Sequence, residues 1–328
     1  MDYLKKIIDL GVLVEPDAVE KMKTLSAEDL SSVISKIENE RPLILSENVI
    51  NQYLKKTKMI VLKQINPKSS FSVQDFVDEI NERYSFLQNI LLGKINNEDM
   101  VSINKCGRGR ASVIGMVKNI EEKDDTFVID VEDTTGSIQT VIQKEQGKRI
   151  EKDDVIAITG NINNKILFAT NVVFPDVPLG SPNKSETETR VGFIVDHSFE
   201  KCPEIDADYL ILYNCENISH VEKDLPFVKL IVVNGDKDPK VDNIDSPCLI
   251  DIDGIKILLA IGNDSLKTLK KRYVIQNNAF FALDPVPDIV FTEKSIDSTQ
   301  VNYKGISIIQ RNNVVNLAKR EISEIILV

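Results

Sequence analysis

Val191-Gly192-Phe193-Ile194-Val195-Asp196-His197-Ser198 is an apolar run of five residues that stops abruptly at polar ones. Successive side chains of a strand point to opposite faces, so a run with no alternation marks a strand covered on both sides. Three similar runs follow: Tyr209-Leu210-Ile211-Leu212-Tyr213, Leu230-Ile231-Val232-Val233 and Ile255-Lys256-Ile257-Leu258-Leu259-Ala260-Ile261. Together they predict a layered α/β domain over residues 191–328.

Upstream the period changes. Between 101 and 178, Ala111 to Val117, Thr126 to Val131, Ser137 to Ile142, Val155 to Gly160 and Ile166 to Ala169 read as five short strands, with turns at Asp133-Thr134-Thr135-Gly136 and Asn161 to Asn164. That pattern fits a small closed barrel of the OB type. Such barrels hold single strands through basic and stacking side chains, which makes Arg108 and Arg110 in Gly107-Arg108-Gly109-Arg110 candidate nucleic-acid contacts. Eight Lys or Arg against eight Asp or Glu between 101 and 150, with Phe127 the only aromatic residue there, leave a structural or protein-binding barrel equally open.

Residues 1–56 read as short helices, one carrying Leu4, Ile7, Ile8 and Leu10, a second opening at Ser26-Ala27-Glu28-Asp29 and a third at Ser46. Over 57–100 we expect a linker, with Asn66-Pro67-Lys68-Ser69-Ser70 as its turn-forming part, and then a docking helix. Ser72 and Asp75 cap that helix, and Val73, Phe76, Ile80, Tyr84 and Leu87 share one face of it. The Ser/Thr/Glu-rich stretch over 179–190 reads as a connector.

The bulk numbers narrow the functions. A length of 328 residues leaves room for two or three cores. The net charge of -11 opposes autonomous binding to a polyanion, so any contact with DNA must be local or shared with a partner. No run approaches the roughly 18 apolar residues of a membrane span, and the first six residues contain no apolar signal core. A soluble, cytoplasmic protein is expected. Cys106, Cys202, Cys215 and Cys248 form no CxxC pair and read as buried free thiols.

The order of helical head, barrel and layered α/β domain resembles the small subunit of the archaeal family-D replicative DNA polymerase, and also the plan of eukaryotic polymerase B subunits. The strings that carry it are Gly11 to Ala18, Gln74-Asp75-Phe76-Val77 with Arg83-Tyr84, Ile114-Gly115-Met116-Val117, Glu132 to Gly136 and Phe174-Pro175-Asp176-Val177-Pro178.

The resemblance implies that the last domain is a calcineurin-like phosphoesterase, which in active members uses two divalent metal ions for 3′-5′ exonuclease work. Against the family's Ser-Asp-x-His, this chain has Val195-Asp196-His197-Ser198, with His197 one place out of register. Its Gly-Asp motif falls near Asn214-Cys215-Glu216. Gly-Asn-His-Asp meets Gly235-Asp236-Lys237-Asp238, where Lys237 stands for the catalytic histidine. His-Gly becomes Ile261-Gly262, and Gly-His-x-His falls at Thr292-Glu293-Lys294-Ser295. Asp196, His197, Asp236, Lys237 and Asp238 are therefore vestigial positions, with no catalytic residue, metal or other cofactor expected. A site of this class needs about four or five imidazoles, and the chain has two histidines, of which His220 reads as a surface residue.

What the resemblance then implies is a noncatalytic accessory subunit that binds the large catalytic subunit of the polymerase and supports replication, meeting DNA within that complex. A sliding clamp stays open as a further partner, although Ile322 to Val328 carries no clamp-binding peptide. The alternatives are an active metal-dependent exonuclease and a single-stranded-DNA-binding barrel protein.

Overall fold

The computed structural model describes residues 2–25, 27–54, 59–65, 72–95, 99–226, 228–235, 241–260, 262–276, 279–293 and 300–327. Its head comprises α1 (Asp2–Asp9), β1 (Leu13–Val14), α2 (Pro16–Thr24), α3 (Ala27–Glu40), β2 (Ile44–Leu45) and α4 (Glu47–Leu54). The helices bury Ile7, Ala18, Met22, Val33, Ile37 and Ile50 in one small core. Ser46 caps α4, its hydroxyl accepting from Val49 N at 3.4 Å. The parallel pairing of β1 with β2 was not foreseen, because two-residue strands leave no period to read. The Ser26 cap lies outside the described residues.

The expected linker is in part a strand, β3 (Met59–Gln64). After it comes α5 (Val73–Leu92), which carries the predicted capping box: Ser72 Oγ accepts from Asp75 N at 3.1 Å, and Asp75 accepts from Ser72 N at 2.9 Å. The apolar stripe of α5 is only half used. Tyr84, Leu87 and Leu91 are buried, whereas Val73 and Phe76 near its start are exposed.

All five predicted barrel strands are present: β4 (Gly109–Lys123), β5 (Thr126–Asp133), β6 (Gly136–Gln143), then α6 (Lys144–Gly147), β7 (Val155–Asn163) and β8 (Ile166–Val173). The closed order is β4-β5-β6-β8-β7, with β6 and β8 parallel and the other pairs antiparallel. Alternation sends Val113, Val117, Ile129, Val131, Ile142 and Ile158 inward. The Tyr84 hydroxyl of α5 donates to Ile114 O at 3.1 Å, which fastens the helix against the outside of the barrel.

Beyond the barrel the chain builds β9 (Arg190–Val195), β10 (Tyr209–Tyr213), α7 (Ser219–Asp224), β11 (Lys229–Val233), β12 (Asp242–Ile244), β13 (Cys248–Ile252), β14 (Ile255–Leu259), α8 (Ser265–Lys271), β15 (Tyr273–Gln276), β16 (Ala279–Ala282), β17 (Ile289–Thr292), β18 (Gln300–Tyr303), β19 (Ile306–Gln310), β20 (Asn313–Asn316) and β21 (Ile322–Glu324). These form two six-stranded sheets, β12-β11-β10-β9-β20-β21 and β18-β19-β17-β14-β13-β3, plus the β15-β16 hairpin. β3, from the expected linker, is thus the edge of the second sheet. Of its run Met59-Ile60-Val61-Leu62, which pairs with β13, Met59 reaches the shared core, whereas Ile60, Val61 and Leu62 are exposed.

The layered reading holds in a modified form. The two sheets pack face to face, and Val191, Phe193, Tyr209, Ile211, Ile257 and Phe291 meet between them, the rings of Phe193 and Phe291 stacked at 4.4 Å. The opposite faces are covered as well: Ile194, Leu210 and Leu212 pack with Phe199 and Val221, while Leu258 and Val290 pack with Leu269 and Phe281. This double coverage accounts for the unbroken apolar runs. Among the described residues, however, only α7 and α8 supply helix, so loops and the hairpin do most of the covering. The connector over 179–190 is also fixed, with Thr187 and Thr189 donating to the Asp253 carboxylate and Arg320 to Asn183 O. Among the described residues no helix is long and apolar enough to cross a membrane.

Candidate functional site

The neighbouring parallel strands β9, β10 and β11 end in register at Val195, Tyr213 and Val233. The next residue in each, Asp196, Asn214 and Asn234, has φ of 50°, 50° and 53°. Aspartate and asparagine tolerate this left-handed conformation because their short polar side chains bond locally. The ladder continues one step: Asp196 N donates to Tyr213 O at 3.0 Å, and Asn214 N to Val233 O at 3.0 Å. The row therefore presents its side chains at the carboxyl edge of the sheet.

Those side chains satisfy one another. Asn214 Nδ2 donates to Asp196 Oδ1 at 3.1 Å, and Asn234 Nδ2 to the Tyr213 hydroxyl at 3.0 Å. Asn234 Oδ1 accepts from Ser246 N at 2.9 Å. Asn217 Nδ2 donates to Ser198 Oγ at 3.0 Å, beside a one-residue bridge between Ser198 and Glu216. Burial pushes the Tyr213 hydroxyl above its ordinary pKa against the hydrogen bonds of Ser246 and Gln276, so it stays a neutral partner.

The described residues of this row do not suit two cations. Asp196 is the only carboxylate in the row of three strand-end residues, and an amide already occupies one of its oxygens. His197 lies edge-on to Phe199, ring centroids 4.7 Å apart, with its Nε2 buried and without a hydrogen-bond partner among the described residues. His220 is exposed on α7. Among the described residues no three His, Cys, Asp or Glu side chains are grouped for a metal. Asp236, Lys237, Asp238, Ile261 and Ser295 lie outside the described residues.

The cysteines divide. Cys215 and Cys248 are buried, and burial pushes their thiols up to about 11 and about 12, values at which they stay protonated at neutral pH. Cys106 and Cys202 are free but half-buried rather than buried. On the barrel, Arg110 Nε is paired with Asp99 at 2.8 Å, while Arg108 is exposed and contacts no described polar partner. The two are not equivalent phosphate contacts.

A recess absent from the sequence reading lies where the barrel meets α8. It has a volume of about 370 Å³, and its walls include Lys148 and Arg149 from the segment after α6, Asp176 from the segment after β8, and Lys267, Lys270 and Lys271 of α8. Its sequence signals are the pair Lys148-Arg149 and the basic run Lys267 to Arg272. A charge count over 101–150 hides the first by averaging it with distant acids.

The chain is similar over much of its length to archaeal DNA polymerase II small subunits. It is 28% identical to that of Archaeoglobus fulgidus over 209 residues, covering 61% of this chain and 40% of that protein. It is 29% identical to that of Methanothermobacter thermautotrophicus over 137 residues (39% and 28%) and 27% identical to that of Pyrococcus abyssi over 180 (50% and 29%). The chain thus spans less than half the length of each relative. The resemblance seen in the motifs is borne out by these similarities. No protein-family model matches. Among solved structures, the S. pombe Stn1-Ten1 complex is matched at a TM-score of 0.19 and 21% identity over 20% of this chain and 57% of that one. A replication protein A heterotrimer bound to single-stranded DNA is matched at 0.18 and 18% over the same shares, 20% and 57%. The barrel assignment rests on its own strand order.

Proposed function

We propose that this chain is the noncatalytic small subunit of a replicative DNA polymerase, which binds the large polymerising subunit and meets DNA within that complex, in the cytoplasm. The observation that carries the noncatalytic reading is the supply and placement of imidazole. The chain has two histidines; one is exposed on α7 and the other packs on Phe199. A two-metal phosphoesterase stabilises both attacking and leaving oxygens with cations a few Å apart, and these residues cannot hold such a pair.

On this reading the chain divides into a helical head (1–56), a linker and docking helix (57–100) whose β3 joins the last unit, an OB barrel (101–178), a connector (179–190) and a degenerate calcineurin-like unit (191–328). Three features support an assembly role: similarity to named small subunits, a two-sheet scaffold with cores on both faces, and strand ends whose polar groups bond to each other.

Co-expression with the large subunit from the same source tests the proposal. A stable complex is expected, together with no nuclease activity of the isolated chain in Mn²⁺. Mn²⁺-dependent degradation of a 3′ end that disappears in Asp196→Ala would overturn the noncatalytic reading, and failure to co-purify would overturn the assembly reading.

A further inference from the structure

We infer that the recess between the barrel and α8 binds a nucleotide unit, with its phosphate on Lys148, Arg149 and Lys270 and its base on the apolar wall. The inference does not depend on the noncatalytic reading, because these residues lie outside the strand-end row.

The four carboxylates of the recess are all engaged. Glu151 is held by Lys267 at 2.5 Å and Lys271 at 3.0 Å, and Asp154 by Lys271 at 2.8 Å. Asp176 accepts from the Tyr303 hydroxyl at 2.7 Å and from Lys304 at 2.7 Å. Asp264 caps α8 by accepting from Lys267 N at 3.0 Å. Three lining cations remain, Lys148, Arg149 and Lys270, with no carboxylate partner among the described residues. In a chain of net charge -11 this is a local reversal of sign inside a concavity. Guanidinium and ammonium groups arriving from two separate segments suit a phosphate group carrying more than one charge.

The apolar wall argues for more than an inorganic ion. Leu87, Val155, Phe174, Leu266 and Tyr273 also face the cavity. Tyr273 is 8% exposed, with the Arg83 guanidinium 5.5 Å from its ring centroid, so the ring is held in place. The Tyr303 ring is fixed by its hydroxyl bond to Asp176 and has Lys270 Nζ 5.8 Å from its centroid. A volume of about 370 Å³ lies in the range of small-molecule sites. A bare phosphate would leave the accessible part of that wall, the exposed Leu266 and the half-buried Phe174, in water, whereas an aromatic base covers it, as stacked bases do in known single-strand binders.

The nucleotide can be free or part of a single strand, and the experiment separates these. The full chain is titrated against 3′-fluorescein-labelled, 5′-phosphorylated oligo-dT in 50 mM salt and followed by anisotropy, with dTTP and unlabelled oligo-dT as competitors. Saturable binding is expected, weakening roughly tenfold between 50 and 200 mM salt. The triple variant Lys148→Glu, Arg149→Glu, Lys270→Glu should bind at least tenfold more weakly, and Lys201→Glu with Lys223→Glu, both exposed and outside the recess, less than twofold. Displacement by dTTP assigns a free nucleotide, and displacement by the oligonucleotide alone assigns a strand. No binding by the wild-type chain, or binding untouched by the triple variant, would overturn the inference. So would a triple variant that keeps the oligonucleotide but loses the large subunit, since the recess would then be a protein contact. If the triple variant loses its cooperative melt, the corresponding triple Gln variant decides by the same readout.

Discussion

Lys271 Nζ of α8 lies 2.8 Å from Asp154 Oδ1 on the turn before β7, joining the two-sheet unit to the barrel through a pair whose side chains are 20% and 7% exposed. Four residues earlier on the same face, Lys267 reaches Glu151 at 2.5 Å, with side chains 49% and 48% exposed. One helix face therefore supplies a buried pair and a solvated pair to the same turn. The recess opens beside them.

The two pairs should differ sharply when broken. Removing one partner of a desolvated pair leaves an uncompensated charge, so Lys271→Met should cost about 3 kcal/mol. Lys267→Met should cost under about 1 kcal/mol, because water screens the exposed pair. Urea unfolding followed by far-UV circular dichroism measures both, and equal losses would refute the distinction.

Acid should weaken this contact through Glu151. The hydrogen bond from Lys267 chiefly, opposed by burial and reinforced by Lys271, holds its carboxyl below the ordinary 4.5. A carboxylate depressed in the folded state adds stability that is complete above its unfolded pKa and lost as pH falls through the folded value. Asp154 has the opposite sign: burial raises its carboxyl despite Lys271, so its own contribution diminishes as pH rises through the folded value. Glu151→Gln should flatten the loss of stability between about pH 5 and 3 relative to wild type, as read from melting temperatures across that range.

Gly115 is required by the closeness of β4 to β5. A Cβ built there would sit 2.8 Å from Glu132 O and closer still to the Val131 side chain. Because the obstacle includes backbone, Gly115→Ala should cost about 2 kcal/mol or more, with loss of barrel cooperativity in hydrogen exchange. A neutral effect would mean that β4 and β5 can separate.

At the strand ends, Asn214→Gly should be nearly neutral, because glycine accepts the φ of 50°. Asn214→Ala keeps the strain without the local hydrogen bond to Asp196 and should cost about 1 kcal/mol. Thermal melts of the two variants side by side test this. Identical melts would show that backbone conformation does not decide the residue at this position.

The regular parts of the fold were legible because their signals are local. Five alternating runs closed as a barrel, the capping box formed at Ser72, and the unbroken runs from Val191 onward became strands covered on both faces. Short and long-range features were not. β1 and β2 are too brief to show a period, and Met59 to Gln64 reads as part of a linker until β13, nearly two hundred residues later, offers it a partner. The exposure of Val73 and Phe76 was equally hidden, since a helical stripe says which residues share a face but not how far the neighbouring surface extends.

For the site, the sequence alone determined the scarcity of imidazole, the aspartate and asparagines after the strands, and the family resemblance, because residue type is a property of the chain. Tertiary structure decided that Asn214 bonds to Asp196, that His197 turns against Phe199, and that Lys148, Arg149 and Lys270 have no carboxylate partner among the described residues while Glu151, Asp154 and Asp176 beside them are paired. Charge along a sequence is a sum over neighbours in the chain. Electrostatic pairing falls off with distance in space, and only the folded chain sets those distances.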